Sequence, residues 1–341
     1  MISSIMPVTL VSHSAAIGLG VMTEQLMKNI KEIDSLILID FNDDVQKINF
    51  SAFNVLERHH VDNLAPAKKS LKLLAKDKAR KFLFIERSRG LAKYSPKESN
   101  FLIPMWEQEP LRKELKFHNN LISITRFTSE YLSRLGRQSH YIPWGVEASC
   151  FKPVTGYPRK ILHNAGGYGG DFRKGTPEAI QIFQRSNIAE LGITLTISTF
   201  KEPPKELCKL VNSNPNGIIW DYSYKNTIDD IYRGFDLLLY PSRVEGHALP
   251  ALEAHVRGIP VLCSDQPPIN EYQNDIRFRL PIKSRKGKRV YTDIEKGSEV
   301  LKSLINIDFT SVSSTFQTEA IEMYNWGRIN LEYTKLFSNI K

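Results

Sequence analysis

The chain has 341 residues, of which 41% are hydrophobic, so it is long enough for two ordinary domains that each bury a core. The N-terminal MISSIMPVTLVSHS lacks the basic segment and apolar core of a secretory signal, and no apolar run reaches the roughly 18 residues that span a bilayer. We therefore expect a globular protein of cytoplasmic type. Cys150, Cys208 and Cys263 are an odd number without CxxC spacing, which favours buried reduced thiols over a disulfide framework, a zinc site or a catalytic thiol.

The formal net charge of +9 is concentrated in residues 65–100, where eleven basic residues outnumber three acidic ones. Such a block indicates a polyanionic partner, either a nucleic acid or an anionic membrane surface, although a solvated helix face would look the same. The amphipathic spacing of SLKLLAKDKARKFL favours the membrane surface, which would make the protein peripheral at the membrane. The basic residues are Lys68, Lys69, Lys72, Lys76, Lys78, Arg80, Lys81, Arg87, Arg89, Lys93 and Lys97.

Short apolar runs rich in β-branched residues alternate with segments of helical period, which is typical of parallel sheets covered by crossover helices. The predicted fold class is therefore α/β. Because the strands form two series, we expect two sheets, with a boundary at KPVTGYPRK (152–160), where both periodicities break. The predicted strands are 8–13, 35–41, 81–86, 100–106, 121–126 and 140–145 in the first half, and 160–166, 193–199, 217–223, 236–242 and 259–265 in the second.

Glycines follow the first predicted strand of each half, where parallel sheets bind ligands at the carboxyl ends of their strands. In SHSAAIGLGVMTEQL, which opens a helix, Gly18 and Gly20 would let the backbone approach a ligand closely. Neither this run nor NAGGYGGDFRKGTPEAIQIF is a full GxGxxG fingerprint or a P-loop. The sequence therefore disfavours a dinucleotide or triphosphate site.

The second glycine-rich loop contains two cations, Arg173 and Lys174, followed by Gly175 and by Pro177 in what should be a first helical turn. Free amides at a helix N-terminus favour a phosphate, to which Arg adds a planar fork and Lys a point charge. We therefore predict an anion site, with a plain glycine-rich turn as the alternative.

Two glutamates stand eight positions apart in YPSRVEGHALPALEAHVRGIPVLCSD (240–265). Glu245 should lie in the loop after a buried strand, and Glu253 in the first turn or so of a short helix that has Pro250 near its start and Gly258 after its end. A carboxylate at this edge of the sheet can accept hydrogen bonds from the vicinal hydroxyls of a ribose or a hexose. Alternatively, Glu253 only complements the helix dipole.

The stretch EGHALPALEAHVRGIPVLCSD resembles the E-x7-E signature of the large retaining nucleotide-sugar glycosyltransferase family that includes bacterial glycogen synthases, sucrose synthases and phosphatidylinositol mannosyltransferases. Other segments resemble the family in the same order. They are IPWGVEASCFKP (142–153), FRKGTPEAIQIF (172–183), DLLLYPSRVEG (236–246) and YNWGRINLEYTKLF (324–337). The resemblance covers residues 120–341 well, whereas the first 120 residues match only as an α/β pattern with a glycine loop.

The resemblance implies a GT-B architecture, in which two Rossmann-like domains face each other across a cleft. Residues 1–152, with a C-terminal helix 326–341 that crosses back, would bind the acceptor, and residues 153–325 would bind the donor. The carried-over roles are a ribose contact for Glu253, a donor-sugar contact and catalytic role for Glu245, and diphosphate binding for Arg173 and Lys174. The loop residues expected to face the sugar and phosphates are Gly246, His247, Ala248 and Leu249.

The family resemblance further implies retention of anomeric configuration and no metal or other cofactor, because cations and helix dipoles neutralise the leaving diphosphate. The co-substrate would be a nucleotide-diphospho-sugar, with UDP or GDP as the expected nucleotides. Asp229 and Asp230 are consistent with this reading, since they suit the first turn of a helix capped by Thr227 better than a metal-binding pair.

The chain departs from the family pattern on the acceptor side. The family often has a histidine at the end of a first-domain strand, but the corresponding segments here end in Glu86, Arg87 and Glu107. His13, at the end of the first strand, is a candidate catalytic substitute, unless it is a core or surface histidine. Trp106, Glu107 and Arg87 are candidate acceptor contacts.

His247 is a second departure, because it stands where the family commonly has an aromatic or small residue, and it would alter the donor sugar that is accepted.

We therefore expect a retaining glycosyltransferase that moves a hexose from a nucleotide-diphospho-sugar to an acceptor hydroxyl. The basic block favours an anionic acceptor, which could be a lipid, a glycan or a modified nucleic acid such as a hydroxylated base in DNA. One alternative is a non-catalytic nucleic-acid-binding protein on a Rossmann-like scaffold, although neither a recognition helix nor an aromatic-basic RNA-binding segment is present. Another is a GT-B sugar phosphorylase.

Overall fold

A computed structural model describes residues 6–13, 17–40, 50–108, 111–147, 151–166, 172–223 and 225–339. The chain divides into two compact units. The first comprises Met1–Gly145 with Trp326–Lys341, and the second comprises Val146–Asn325. The first unit thus ends at Gly145, where the sequence predicted residue 152.

A parallel sheet forms the centre of the first unit. Its strands are β1 (Val8–His13), β2 (Ile33–Asp40), β3 (Val55–His60), β4 (Lys81–Glu86), β5 (Asn100–Pro104), β6 (Asn120–Ser123) and β7 (His140–Tyr141). They lie in the order β3-β2-β1-β4-β5-β6-β7. The chain therefore builds outward from β1 in one direction and from β4 in the other, so that the order reverses between these two strands.

Helices of the first unit join these strands as crossovers. Within the described residues they are α1 (Ile17–Asn29), α2 (Ala65–Leu74), α3 (Leu111–Glu114) and α4 (Arg126–Arg134). One core cluster joins apolar residues of the sheet, such as Phe82 and Phe84, to Leu71 of α2 and Leu132 of α4.

The second unit repeats the doubly wound order on its own sheet. Its strands are β8 (Lys160–Gly166), β9 (Thr194–Thr199), β10 (Ile218–Asp221), β11 (Leu237–Tyr240), β12 (Val261–Ser264) and β13 (Arg279–Leu280), with a hairpin of β14 (Ile282–Lys286) and β15 (Arg289–Thr292) beside them. The parallel strands lie in the order β10-β9-β8-β11-β12-β13, so the order reverses between β8 and β11.

Helices cover both faces of the second sheet. They are α5 (Thr176–Ser186), α6 (Lys205–Asn212), α7 (Ile228–Tyr232), α8 (Leu249–Val256), α9 (Ile294–Leu304) and α10 (Thr310–Tyr324). The two-residue period of β11 is visible in its packing, because Leu239 belongs to the cluster that contains α5, whereas Leu238 and Tyr240 belong to the cluster that contains α8.

The last helix, α11 (Trp326–Asn339), belongs to the first unit although it follows the whole second unit in the chain. Trp326 packs edge-on against Trp144 with ring centroids 5.3 Å apart, and Phe337 packs against Phe101 at 5.0 Å. Burial of these aromatic rings holds the helix on the first unit, as the sequence predicted.

All eleven predicted strands are present, and most are shorter than predicted. Strands β3 and β13 and the β14–β15 hairpin were not predicted. The amphipathic reading of SLKLLAKDKARKFL was wrong beyond Leu74, because α2 ends there and Lys81 begins β4.

The basic block is consequently not one surface. Lys81 is buried in the sheet, with 2% of its surface exposed. Arg80 forms an ion pair with Asp34, at 2.8 Å between Nη1 and Oδ1. The exposed cations of α2 are Lys69 and Lys72, and they precede Leu73, which is 63% exposed.

Among the described residues, no helix is long and apolar enough to cross a membrane.

Candidate functional site: the carboxyl edge of the second sheet

The residues that the sequence singled out in the second unit follow β8 and β11, the two strands between which the strand order reverses. After β8 the chain leads to Arg173, Lys174 and the start of α5, and after β11 it leads to Glu245 and the start of α8. Ligands of doubly wound sheets bind at such a reversal point, outside the carboxyl ends of the strands.

Gly175 makes the close approach of these two segments possible. It has a positive φ of 72°, and a Cβ at this position would lie 1.9 Å from the carbonyl oxygen of Pro241. The glycine therefore lets the Arg-Lys turn lie directly against the end of β11. Pro177 occupies the first turn of α5, as predicted.

Glu245 is the centre of the polar contacts at this edge. Its carboxylate is buried, and Oε2 accepts a hydrogen bond from Arg173 Nη1 at 2.5 Å. Its Oε1 accepts from Lys174 Nζ at 2.7 Å, and also from the hydroxyls of Tyr240 and Ser242, each at 2.6 Å. Three of the predicted site residues thus form one hydrogen-bonded cluster.

The electrostatics of the cluster follow from burial and charge. Burial alone would raise the pKa of Glu245, but the positive charges of Lys174 and Arg173, with hydrogen bonds from Lys174 and Ser242, bring that pKa well below its usual range. Burial lowers the pKa of Lys174, and the Glu245 charge opposes this effect. Arg173 keeps 37% of its side chain exposed, so its guanidinium can meet a ligand at the surface of the cluster.

A second ion pair, between Arg243 and Glu178, lies next to the cluster. Arg243 donates to both carboxylate oxygens of Glu178 on α5, from Nε at 2.7 Å and from Nη2 at 3.0 Å. Its guanidinium also lies 4.9 Å from the ring centroid of Tyr291 on β15, and its backbone N–H donates to the carbonyl oxygen of Arg173 at 2.8 Å. Arg243 therefore joins the loop after β11 to α5 and to the hairpin.

Glu253 lies in the second turn of α8 and is buried. Its Oε2 accepts a hydrogen bond from the hydroxyl of Tyr232 at 2.8 Å, and no described residue donates to its Oε1. Burial raises the pKa of Glu253, while the Tyr232 hydrogen bond and the Arg257 charge oppose that rise. One oxygen is thus fixed by the protein, and the other is available to a ligand.

The two aspartates considered in the sequence lie in the first turn of α7. Asp229 accepts from Arg257 Nε at 2.8 Å and Nη2 at 2.5 Å. Asp230 and Thr227 form a reciprocal capping box at the start of α7, which confirms the helix-cap reading of this pair. Within the part of the chain that the structure describes, no group of three or more His, Cys, Asp or Glu could hold a metal ion.

The loop between the two glutamates ends in the left-handed conformation at Ala248, whose φ is 61°, and α8 begins at the next residue, Leu249. His247 is buried, and its Nδ1 lies 2.8 Å from the hydroxyl of Tyr272. Burial lowers the pKa of His247 to about 3, so its imidazole is neutral at physiological pH. The loop therefore adds a buried neutral ring, and no further charge, beside Gly246.

The residues predicted in the first unit do not form a comparable cluster. Trp106 is buried against Phe127 and Tyr131, with ring centroids 4.9 and 6.0 Å away, so it belongs to the core rather than to an open acceptor surface. Arg87 donates to Gln108 at 2.5 Å, and Glu107 is partly buried next to it in the chain.

The glycine loop and the histidine of the first unit are only partly described. Gly20 lies inside α1 rather than in a turn before it, as does the backbone of Gly18. His13 ends β1, but its side chain and the surroundings of Gly18 lie outside what the structure describes.

Sequence reasoning missed the residues that hold the cluster in place. Tyr240 and Ser242 belong to the quoted YPS segment, and their proximity to Glu245 was a usable signal. Tyr232, Arg243 and Glu178 gave no comparable signal, because their partners are distant in sequence.

Comparisons with known proteins bear on the family and the fold of the chain. Residues 171–279 match the model of a family described as Glycosyl transferases group 1, and this segment contains Arg173, Lys174, Glu245 and Glu253. The match confirms the resemblance to a glycosyltransferase family. No curated protein sequence matches the chain.

Solved structures match the fold over nearly the whole chain. Sucrose-phosphate synthase from Thermosynechococcus elongatus is 14% identical, with 98% of each chain covered and a TM-score of 0.70. A glycosyltransferase from Rickettsia africae is 12% identical, again with 98% of each chain covered, and has a TM-score of 0.68. An E. coli structure described as "Trehalose-6-phosphate … bound with UDP-2-fluoro glucose" is 11% identical, covers 98% of this chain and 99% of that one, and has a TM-score of 0.65. The α/β fold class and the GT-B architecture of two parallel-sheet units are therefore confirmed.

Proposed function

We propose that the protein is a retaining glycosyltransferase that transfers a hexose from a nucleotide-diphospho-sugar to an acceptor hydroxyl. The observation that carries this proposal is the convergence of Arg173 and Lys174 on Glu245 at the start of α5, inside the segment that matches the group 1 family. Structural neighbours support a UDP-sugar as the donor, because three of them are described in complex with UDP or UDP-2-fluoro glucose.

In this proposal the diphosphate lies at the start of α5, beside Arg173 and Lys174. The developing negative charge on the leaving diphosphate meets the two cations and the helix amides, so a metal ion is not required for charge neutralisation. Glu245 already accepts four hydrogen bonds, three of them at Oε1. It therefore acts mainly by holding the two cations in place, and its contact with the donor sugar is made through Oε2.

The ribose of the nucleotide is assigned to Glu253. Tyr232 fixes one carboxylate oxygen, so the other can accept a hydrogen bond from a ribose hydroxyl without reorientation of the side chain. A preorientated acceptor of this kind loses little entropy on binding, and this favours affinity for the nucleotide.

The acceptor is proposed to be anionic and to be drawn to the first unit by exposed cations. Lys69 and Lys72 lie on α2 with the exposed Leu73, and this combination suits a membrane surface or a lipid-linked glycan better than bare nucleic acid. A cytoplasmic protein peripheral at the membrane would fit this surface. Liposome binding tests this choice, and salt-sensitive DNA binding without liposome binding would favour a hydroxylated base in DNA instead.

A donor screen tests the proposed activity. The wild-type chain should release the nucleotide from one of a panel of UDP-, GDP- and ADP-sugars, and Lys174→Ala and Glu253→Ala should each lower this rate at least about 100-fold. Lys201→Ala removes an exposed cation of the same unit and should have no effect. Equal rates in all four proteins would refute the assignment.

Nucleotide-induced thermal shifts separate the remaining function classes. UDP, GDP or ADP should raise the melting temperature of a nucleotide-sugar transferase, whereas none should stabilise a sugar phosphorylase or a nucleic-acid-binding scaffold.

A further inference from the structure

The turn that follows β4 in the first unit has an unusual backbone. Glu86 has a φ of 64°, and the N–H of Arg87 donates to the carbonyl oxygen of Ile85 at 2.7 Å, so Glu86 is the central residue of a γ-turn in the left-handed region. This type of γ-turn is rare and strained for a residue with a side chain. Arg89 and Gly90 also have positive φ values, of 49° and 72°.

Contacts of the two residues that follow Glu86 maintain this conformation. Glu114 of α3 accepts hydrogen bonds from the backbone N–H of Ser88 at 2.9 Å and from its hydroxyl at 2.5 Å. Arg87 donates from Nη2 to Gln108. Strain persists only where surrounding contacts over-determine it, and such positions concentrate at functional sites.

Glu86 also occupies a special place in the sheet. It is the last residue of β4, level with Pro104 of β5, and β4 is one of the two strands between which the strand order reverses. The carboxyl ends of these strands are where a doubly wound sheet binds its ligand.

The carboxylate of Glu86 has no partner that explains its position. It is half-buried, and no described residue donates a hydrogen bond to it or forms an ion pair with it. Burial raises its pKa, although the nearby charges of Arg87 and Arg89 oppose the rise. A desolvated carboxylate without a hydrogen bond destabilises the fold, so both its backbone and its side chain act against stability.

We propose that Glu86 binds a hydroxyl group of the acceptor, which we assign to the class of sugars and polyols, at a site contained within the first unit. The strained turn places Glu86 at the carboxyl end of β4, and a hydroxyl donor supplies the hydrogen bond that none of the described residues supplies. This assignment rests on the proposed glycosyltransferase function, but it adds a residue and a ligand class that the donor site does not determine.

The experiment uses the full chain and two substitutions of Glu86. Glu86→Gln keeps the shape of the side chain but replaces the charged acceptor, and Glu86→Gly relieves the left-handed backbone. Binding of glucose, glucose 6-phosphate and glycerol is measured by ligand-observed NMR, and the melting temperature is measured with and without UDP. Asn187→Gly is the matched control, because Asn187 also has a positive φ, 55°, and lies in the second unit at the end of α5.

We expect the wild type to bind at least one of the three probes, and both Glu86 variants to bind it at least tenfold more weakly. Glu86→Gly should melt about 2 °C higher than wild type. Asn187→Gly should leave probe binding unchanged. The difference between glucose and glucose 6-phosphate then shows whether the acceptor carries a phosphate.

Three results would overturn the inference: no binding of any probe to the wild type, unchanged binding in Glu86→Gln, or a lower melting temperature in Glu86→Gly. Each of them can occur while UDP still stabilises every variant, in which case the proposed function stands. If UDP did not raise the melting temperature of the wild type, the proposed function would instead be refuted.

Discussion

In the first unit Glu86 ends β4, and in the second unit Glu245 follows β11, the strand at the same place in the same doubly wound order. The surroundings of the two glutamates differ in every other respect. Glu245 is buried and takes hydrogen bonds from two cations and two hydroxyls, whereas Glu86 is half-buried and takes none from the described residues. Their pKa values are accordingly shifted in opposite directions, down for Glu245 and up for Glu86.

Left-handed backbone occurs at both edges. At the second edge Gly175, Phe172 and Ala248 have positive φ values, and at the first edge Glu86, Arg89 and Gly90 do, so the two edges differ in the partners of their glutamates rather than in backbone strain. The second edge is thus preorganised by interactions that also stabilise the fold. At the carboxyl end of β4 in the first unit, Glu86 instead lowers the stability of the fold. A site whose ligand supplies the missing hydrogen bond would have this property.

The largest effect is expected where the second edge is most crowded. Gly175→Ala should destabilise the fold by about 3 kcal/mol, because the new methyl group adds left-handed strain and collides with the carbonyl oxygen of Pro241. Gly192→Ala is the control, since Gly192 has a similar φ of 74° with no atom near its Cβ position, and it should cost only about 1 kcal/mol. Chemical denaturation measures both. Equal losses would mean that the turn does not touch β11.

Removal of the Glu245 carboxylate should have an effect of similar size. Glu245→Ala leaves Lys174 and Arg173 without their shared partner, and the loss of a buried ion pair typically costs about 3 kcal/mol. Because Arg173 is partly exposed, solvent screens its charge, and we do not expect a loss of stability larger than this. Glu295→Gln, which breaks the exposed pair with Arg185, should change stability by less than about 0.5 kcal/mol. If Glu245→Ala were as mild as that control, the cluster would not be preorganised.

Much of the fold was predictable because buried parallel strands appear in the sequence as apolar runs. The strand β3 escaped prediction because it lies at the sheet edge, where VLERHH alternates between half-buried and exposed positions. The lysine-rich segment was misread for a related reason. The helical period of the sequence continues past Leu74, but the helix ends there. Lys81 is buried because it already belongs to β4.

The site was predictable where its residues are close in sequence or belong to a family pattern. Arg173, Lys174 and Glu245 came together because the ends of β8 and β11 meet at one edge of the sheet. The role of Tyr232 depends on its distance from Glu253 in the folded chain, and no spacing rule predicts that contact. Nor does the sequence reveal the backbone of Glu86, since glutamate rarely adopts a positive φ and ERSRG contains no turn signal before Gly90.

A smaller effect, on the affinity for UDP, should distinguish the orientation of the Glu253 carboxylate from its charge. Tyr232→Phe removes the hydrogen bond to Oε2 while the carboxylate remains, and it should raise the Kd for UDP about tenfold, as expected for about 1.5 kcal/mol. Tyr157→Phe removes an exposed hydroxyl of the same unit and should not change UDP affinity. Calorimetric titration gives both constants. An unchanged Kd in Tyr232→Phe would show that Glu253 needs no orientation.

The smallest effect tests the opposite pKa shifts directly. The folded-state pKa of Glu86 is raised, so its contribution to stability is fully present below the unfolded value of about 4.3 and is lost as pH rises through the folded-state pKa. Replacement by Gln removes that loss. Glu86→Gln should therefore melt about 1 to 2 °C above the wild type at pH 8 and together with it at pH 4, a modest gain because solvent screens a half-buried group.

Glu245→Gln should show the reverse dependence on pH. The folded-state pKa of Glu245 is lowered, so its stabilising contribution is present above about pH 4.3 and is lost only as pH falls through the folded-state pKa. Its deficit in melting temperature should be largest at neutral pH and should shrink toward pH 3. Glu130→Gln, which removes an exposed carboxylate of the first unit, should follow the wild type throughout. Parallel pH profiles for the Glu86 and Glu245 variants would show that the two edges of the molecule do not differ electrostatically, and the distinction between a partnered and an unpartnered carboxylate would then fail.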